Sequence, residues 1–247
     1  MSTRGLVGVV IDGVVKATYN HSDSYPAGLG ADTTCSVVEA LGKGRLEEMK
    51  EKARKMALIP TDAADLPPDE ALRAVLASGG LEARNASETV YQMMNRLRGN
   101  GAMGFLDAGV MIDGADFAAD SLFCEWGYLV DFDRGALEIF EGFAKTPHSD
   151  GRFADMPDDP PAHRVGKPRE FWPIRQILDI PFADLDKGWV EGFGALSALF
   201  DGESDEDGDI DVGLSAHERV ETMIRFEPWW VGQAAEKASA YKSKQAA

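Results

Sequence analysis

The first twenty residues carry the clearest hydrophobic pattern in the chain. Between Gly5 and Ile11 almost every residue is apolar and most are β-branched, which is typical of a strand buried on both faces. Asp12-Gly13 is a turn dipeptide, and Val14 to Tyr19 returns as a second strand. The pattern therefore predicts that the chain opens with a β-hairpin.

Helical periodicity replaces this pattern in the middle of the chain. Apolar side chains recur at intervals of three and four, with charged pairs on the opposite faces. The pattern predicts four helices, over residues 33–41, 45–58, 65–79 and 85–98. The last helix places Val90, Met93, Met94 and Leu97 on one face, which predicts a stripe that packs in the core. Gly99-Asn100-Gly101 predicts the end of this helical stretch.

Strand character then returns. Tyr128–Phe132 and Ala136–Phe140 flank Asp133-Arg134-Gly135 and predict a second hairpin, and residues 171–180 predict a further strand. Strands on both sides of a helical middle predict an α+β fold with a mixed or antiparallel sheet. We expect both hairpins to belong to one sheet system and the helices of residues 33–98 to pack on it.

The remaining segments set the predicted domain organisation. Residues 1–200 are expected to form a single α+β domain, in which residues 146–169, rich in Pro, Asp and Gly, form a long loop or flap. Residues 201–214 are an acidic loop. Residues 215–247 are expected to form a C-terminal helix, opened by a capping box at Ser215–Glu218, and a mobile tail.

Polar side chains concentrate where the first hairpin ends. The hairpin returns the chain to its own beginning, so Thr3 is expected to lie near residues 20–23 and to line a pocket with Arg4 and the polar side chains there. The candidate catalytic residues are Thr3, Asn20, His21 and Asp23, and the candidate ligand-binding residues are Arg4, Ser22, Ser24 and Tyr25. Nucleophilic hydrolysis would need such hydroxyl, imidazole, amide and carboxylate groups. The alternative is a turn network that satisfies loose backbone groups at the strand end.

Thr3-Arg4-Gly5 and the segment from Tyr19 to Gly30 resemble the opening of an uncharacterised family of bacterial and phage proteins. The segments Cys124–Tyr128 and Trp172–Arg175 resemble that family as well. At one remove, the opening is similar to N-terminal-nucleophile hydrolases. This resemblance implies an αββα sandwich and hydrolysis of an amide or related bond in a small molecule. The chain departs from it in one respect, because Ser2 rather than Thr3 becomes the first residue if Met1 is removed.

An acidic segment carries the candidate metal ligands. They are Glu203, Asp205, Asp207, Asp209 and Asp211. Their spacing, with Gly208 between them, follows a calcium-binding loop through its ninth position. Leu214 occupies the twelfth position, where such loops carry a bidentate Glu, so a solvated linker is the alternative. No other cofactor is expected, and the scattered His and Cys residues do not show zinc-ligand spacing.

Charge and composition limit the classes of partner that the protein is expected to bind. A net charge of −17 over 247 residues disfavours direct contact with nucleic acid or anionic lipid. No spanning segment, signal peptide or disulfide framework is apparent, so a cytoplasmic location is expected. The phenylalanine and tryptophan near Cys124 predict a buried, inert thiol. Two function classes stay open: a small-molecule hydrolase, or a non-catalytic protein that binds a ligand or a host protein.

Overall fold

A five-stranded mixed sheet forms the centre of the computed structural model, which describes residues 3–149, 151–157, 168–185 and 189. Its strands are β1 (Gly5–Ile11), β2 (Val14–Asn20), β5 (Trp126–Asp131), β6 (Ala136–Glu141) and β7 (Arg175–Pro181), and a smaller sheet pairs β3 (Ala57–Ile59) with β4 (Val110–Ile112). The strand order is β2-β1-β5-β6-β7, with β1 and β5 parallel and the other neighbours antiparallel. Both predicted hairpins therefore lie in one sheet, as expected, and the α+β class is confirmed.

Six α-helices are described between the two hairpins. They are α1 (Ala31–Gly42), α2 (Leu46–Lys55), α3 (Thr61–Ala64), α4 (Glu70–Ser78), α5 (Val90–Met94) and α6 (Gly101–Ala108). A π-helical turn at Pro26–Gly30 precedes α1, and 3₁₀ helices lie at Asn95–Asn100 and Ala115–Ala119. None of the helices in the described part of the chain is long and apolar enough to cross a membrane.

Apolar side chains cover both faces of the large sheet. On one face, Val7, Val9 and Val130 pack in a core with the helices, including Met93 and Met94 of the predicted stripe. On the other face, Leu6, Val10 and Leu129 pack against Ala118, Cys124, Phe153 and Ile174. Cys124 is fully buried, and its burial raises the pKa of the thiol well above its ordinary value. The prediction of an inert thiol is thereby supported.

Several predicted helix boundaries were wrong. The helix predicted to run to residue 58 ends at Lys55, because residues 57–59 form β3 and pair with β4. The helix predicted over 65–79 begins later, at Glu70, as α4, and α3 lies before the predicted range. Asp69 caps α4 by accepting a hydrogen bond from Leu72 N. The helix predicted from residue 85 begins at Val90, capped by Thr89 in a capping box with Gln92.

The glycines at 99 and 101 do not end the helical stretch either. Gly101 has a φ of 54° and redirects the chain into α6, whose residues are nearly all buried. Of the predicted flap, the described residues 151–157 pack on the sheet through Phe153. The predicted acidic loop 201–214, the C-terminal helix and the tail lie outside the described residues. The αββα sandwich that the resemblance implies stays a prediction.

Lys16 ties the hairpin to helix α2. Its Nζ donates to the carbonyl oxygens of Ala53, Arg54 and Met56, at 2.8, 3.1 and 2.9 Å. These oxygens lie at the C-terminal end of α2, where carbonyls lack helical partners and the helix dipole favours a cation. Partial burial lowers the pKa of Lys16, which the nearby carboxylate of Asp12 opposes.

Replacing Lys16 by Met is expected to lower the free energy of unfolding by about 1–3 kcal/mol, because three carbonyls lose a charged donor. Urea unfolding of the purified protein measures this change. Lys55→Met is the matched control, since the Lys55 side chain is 79% exposed and only forms a surface ion pair. Equal unfolding midpoints for the two variants would contradict the capping role.

Candidate functional site

The polar segment after β2 is built around two buried side chains. Asn20 Nδ2 donates to Ser22 O at 2.5 Å and to Ser24 Oγ at 2.7 Å. Ser24 is fully buried, its backbone N donates to Thr3 O, and its carbonyl accepts from the Tyr128 hydroxyl at 3.0 Å. Asn20 and Ser24 therefore hold the loop against the start of β1. The hairpin does bring Thr3 next to this segment.

The other predicted residues of this segment lie nearer the surface. His21, Asp23 and Tyr25 are exposed, and Ser22 is half-buried. The His21 Nδ1 and the Tyr19 hydroxyl share a hydrogen bond of 2.7 Å. Asp23 has a φ of 56°, and its carbonyl lies so close to Gly28 that a Cβ there would be 2.2 Å from the oxygen. Close packing of the backbone thus fixes the shape of this loop.

A cleft of about 550 Å³ opens beside this segment, at the β2 edge of the large sheet. One wall comes from the sheet and the segment after β4: Arg4, Thr18, Tyr19, Gly114, Asp116, Phe117 and Phe123. The other wall comes from α3, α5, β4 and the residue after α3: Thr61, Ala64, Asp65, Tyr91 and Ile112. The volume falls in the range of small-molecule sites, ~300–1,000 Å³. Of the predicted site residues, only Arg4 is among these lining residues.

Arg4 is the cation of this cleft. Its backbone N donates to Glu125 Oε1 at 3.1 Å and its carbonyl accepts from Glu125 N, so the main chain is fixed. The guanidinium carbon lies 5.3 Å from the centre of the Phe123 ring. Nε is buried and has no hydrogen-bond partner within the described part of the chain. Among the described residues, no carboxylate forms an ion pair with the Arg4 side chain.

Aromatic rings form much of the remaining surface of the cleft. Tyr19 and Phe117 meet edge to face, with ring centres 4.9 Å apart. Arg98 stacks over Tyr91 at 5.0 Å, and its Nη2 donates to the Tyr91 hydroxyl at 2.9 Å. Burial and the neighbouring Tyr91 raise the pKa of Tyr19, although the charges of Arg4 and Arg98 oppose this shift. Tyr19 is therefore a neutral phenol at physiological pH.

The acidic members of the wall are Asp65 and Asp116. Thr61 does not offer a free hydroxyl proton, because its Oγ1 donates to the Asp113 carbonyl at 2.5 Å. Among the described residues, the lining of the cleft thus combines one cation, two carboxylates and four aromatic rings. This set is suited to binding and orienting a polar small molecule.

The sequence interpretation missed most of this site. Tyr91 was assigned to a helix, Phe123 was considered only as a neighbour of Cys124, and Thr61, Asp65 and Asp116 were not singled out. These residues lie in four separate segments, and none carries a local motif. The long-range pairing of β3 with β4, which brings Thr61 and Ile112 together, is not visible in either segment alone.

The predicted metal site does not lie in the described part of the structure. No group of three or more His, Cys, Asp and Glu residues within the described ranges is arranged to hold a metal ion. The candidate calcium ligands Glu203, Asp205, Asp207, Asp209 and Asp211 lie outside those ranges, so calcium binding stays a prediction.

Comparisons with known proteins do not indicate a function, so the function is inferred from the cleft. The chemistry of its lining residues indicates which ligands fit it. Searches with the chain against protein-family models, curated proteins and solved structures give no match.

Proposed function

We propose that this protein binds a small organic anion in the cleft between β2 and helices α3 and α5, with Arg4 as the principal contact. One observation carries the proposal: the Arg4 guanidinium lines the cleft, and no described carboxylate neutralises it. Its Nε is also buried, with no acceptor among the residues that the structure describes.

An unpaired, partly buried guanidinium is unusual in a chain with 42 acidic and 25 basic residues. Loss of hydration without a partner costs free energy, and a buried donor left unsatisfied costs about 1–3 kcal/mol. A carboxylate or phosphate in the cleft would supply the counter-ion that this guanidinium lacks among the described residues, and its planar or tetrahedral oxygens match the fork of a guanidinium. Binding of an anion would therefore remove an unfavourable feature of the free protein.

Ligand binding is better supported than hydrolysis. The hydrolase alternative has Thr3, Asn20, His21 and Asp23 as its candidate catalytic residues. Thr3 is not among the lining residues, its carbonyl accepts from Ser24 N, and the Asn20 side chain is committed to Ser22 and Ser24. Cleavage of an amide bond in the bound ligand stays a prediction, which product analysis after incubation would test.

The test is isothermal titration with four probe anions: AMP, ribose 5-phosphate, phenylacetate and cyclohexylacetate. We expect at least one probe to bind and Arg4→Met to weaken that binding about 10–150-fold, the equivalent of losing one charge-assisted contact of ~1.5–3 kcal/mol. Arg45→Met is the matched control, because Arg45 pairs with Glu48 and Asp107 on the surface and does not line the cleft.

Two results would overturn the proposal. One is that none of the four anions binds at millimolar concentration. The other is that Arg4→Met and Arg45→Met bind the probes equally well, which would place the anion elsewhere on the protein. Circular dichroism of Arg4→Met confirms that a loss of binding does not come from unfolding.

A further inference from the structure

We infer that the ligand of the cleft carries a planar aromatic ring, with amino or ring N–H groups at its edge, beside the anionic group. The inference rests on the proposed function and adds a ligand class to it. It follows from how the rings of the two walls are held and from the acidic residues among them.

Rings belong to both walls of the cleft. Tyr19 and Phe117 lie on the wall formed by the sheet and the segment after β4, and Tyr91 projects from α5 on the other wall. Tyr91 is near enough to Tyr19 to contribute to the raised pKa of that phenol. Walls of this kind offer π-faces and ring edges to a flat ligand, and aromatic pairs favour such offset or edge-to-face contacts.

The rings are also held in place by other side chains. Arg98 both stacks on Tyr91 and donates to its hydroxyl. Phe117 contacts Tyr19 edge to face, and the Tyr19 hydroxyl forms a hydrogen bond with His21. A surface that is ordered in advance loses little conformational entropy on binding. A ring that only filled a core would be buried, whereas Phe123 is 43% exposed beside Arg4.

The two carboxylates of the cleft indicate which chemical groups the ligand ring carries at its edge. Asp65 and Asp116 accept hydrogen bonds and repel negative charge, so they favour a ring that presents N–H donors. Arg4, in contrast, favours a negatively charged acceptor group of the ligand at its own position. Together these groups fit an aminated heteroaromatic ring joined to one phosphate or carboxylate, as in a nucleoside monophosphate.

The test compares pairs of probes that share an anionic group. AMP and ribose 5-phosphate differ by the base, and phenylacetate and cyclohexylacetate differ by the planarity of the ring. We expect AMP to bind at least about tenfold more tightly than ribose 5-phosphate, since base stacking on an aromatic side chain contributes about 1–3 kcal/mol. Phenylacetate is likewise expected to bind more tightly than cyclohexylacetate.

Variants of Tyr91 test whether the ligand ring stacks on this side chain. Tyr91→Leu is expected to weaken AMP about tenfold and to leave ribose 5-phosphate unchanged, while Tyr91→Phe keeps the ring and the AMP affinity within about threefold. Equal affinities within each probe pair would overturn the ring inference and leave the proposed anion binding intact. If no probe binds, the proposed function itself fails. Equal weakening of both phosphates by Tyr91→Leu would contradict a stacking role for Tyr91.

Discussion

Replacing Arg152 by Met is expected to destabilise the protein by about 3–5 kcal/mol, the cost of removing one partner from a buried ion pair. Arg152 Nε donates to Glu138 Oε2 at 2.6 Å, and Nη2 donates to Asp131 Oδ2 at 2.5 Å. Both carboxylates belong to the sheet, and both side chains are 1% exposed. Without the guanidinium, two buried negative charges lose their shared cation.

The loss is not compensated elsewhere. Arg134 still donates to Glu138, at 3.0 Å, and backbone N–H groups of Asp133 and Arg134 still donate to Asp131 Oδ1. No second cation among the described residues forms an ion pair with Asp131. For a protein of this size, the expected loss lowers the melting temperature by roughly 10 °C.

The control for Arg152 is Arg54→Met. Arg54 forms ion pairs with Asp12 and Glu51, but these side chains are 40–60% exposed, so we expect a change of at most about 1 kcal/mol. Urea unfolding of both variants measures the difference. If Arg152→Met were as stable as Arg54→Met, residues 151–157 would not anchor on the sheet through this network.

The parts of the fold that the sequence predicted correctly depend on local chemistry. Asp12 and Gly13 have φ values of 53° and 75°, so the turn type follows from the two residues that form it. β1 and β5, one strand from each hairpin, are apolar because both are central in the sheet and covered on both faces. Neighbouring residues therefore carry enough information to define both hairpins.

The parts that failed depend on distant partners. Residues 57–59 continue an apolar pattern that a helix would also show, and only their parallel pairing with residues 110–112 makes them a strand. Helix α6 is nearly all buried, so it lacks the polar face that makes a surface helix recognisable. Gly99-Asn100-Gly101, in which Gly101 has a φ of 54°, then predicted the end of the helical stretch just where α6 begins.

The residues of the candidate site likewise divide into those that local sequence predicts and those whose role depends on distant partners. Arg4 was predicted because it precedes a clear strand, and the return of the hairpin places it beside the polar segment. Asn20 was predicted with it, but whether an amide at a strand end faces a ligand or its own loop depends on packing. Here Tyr128, more than a hundred residues away, completes the buried network around Ser24. Local sequence does not determine that outcome.

The final prediction concerns pH. Glu141 ends β6 and is buried, and in the sheet it pairs in register with Trp126 on β5 and Arg175 on β7. Burial raises the pKa of Glu141 from 4.5 to about 7, although the positive charge of Arg175 opposes the shift. The folded protein therefore retains a proton on this carboxyl over a pH range in which the unfolded chain has lost it.

The sign of the effect follows from proton linkage. Between pH 4.5 and about 7 the folded state binds more protons than the unfolded state, so the free energy of unfolding contributed by this group falls as pH rises. Its favourable contribution is fully present below pH 4.5 and is lost above pH 7. A difference of about 2.5 pKa units corresponds to roughly 3 kcal/mol.

Glu141→Gln removes the titrating group with little change in shape. We expect the variant to exceed the native protein in unfolding free energy by about 3 kcal/mol at pH 8, relative to any difference between them at pH 4.5. Urea unfolding at pH steps from 4.5 to 8 measures this, with Glu47→Gln as the control, because the Glu47 side chain is 80% exposed. A difference between Glu141→Gln and the native protein that stays constant with pH would show that Arg175 outweighs burial and that Glu141 is already ionised in the folded state.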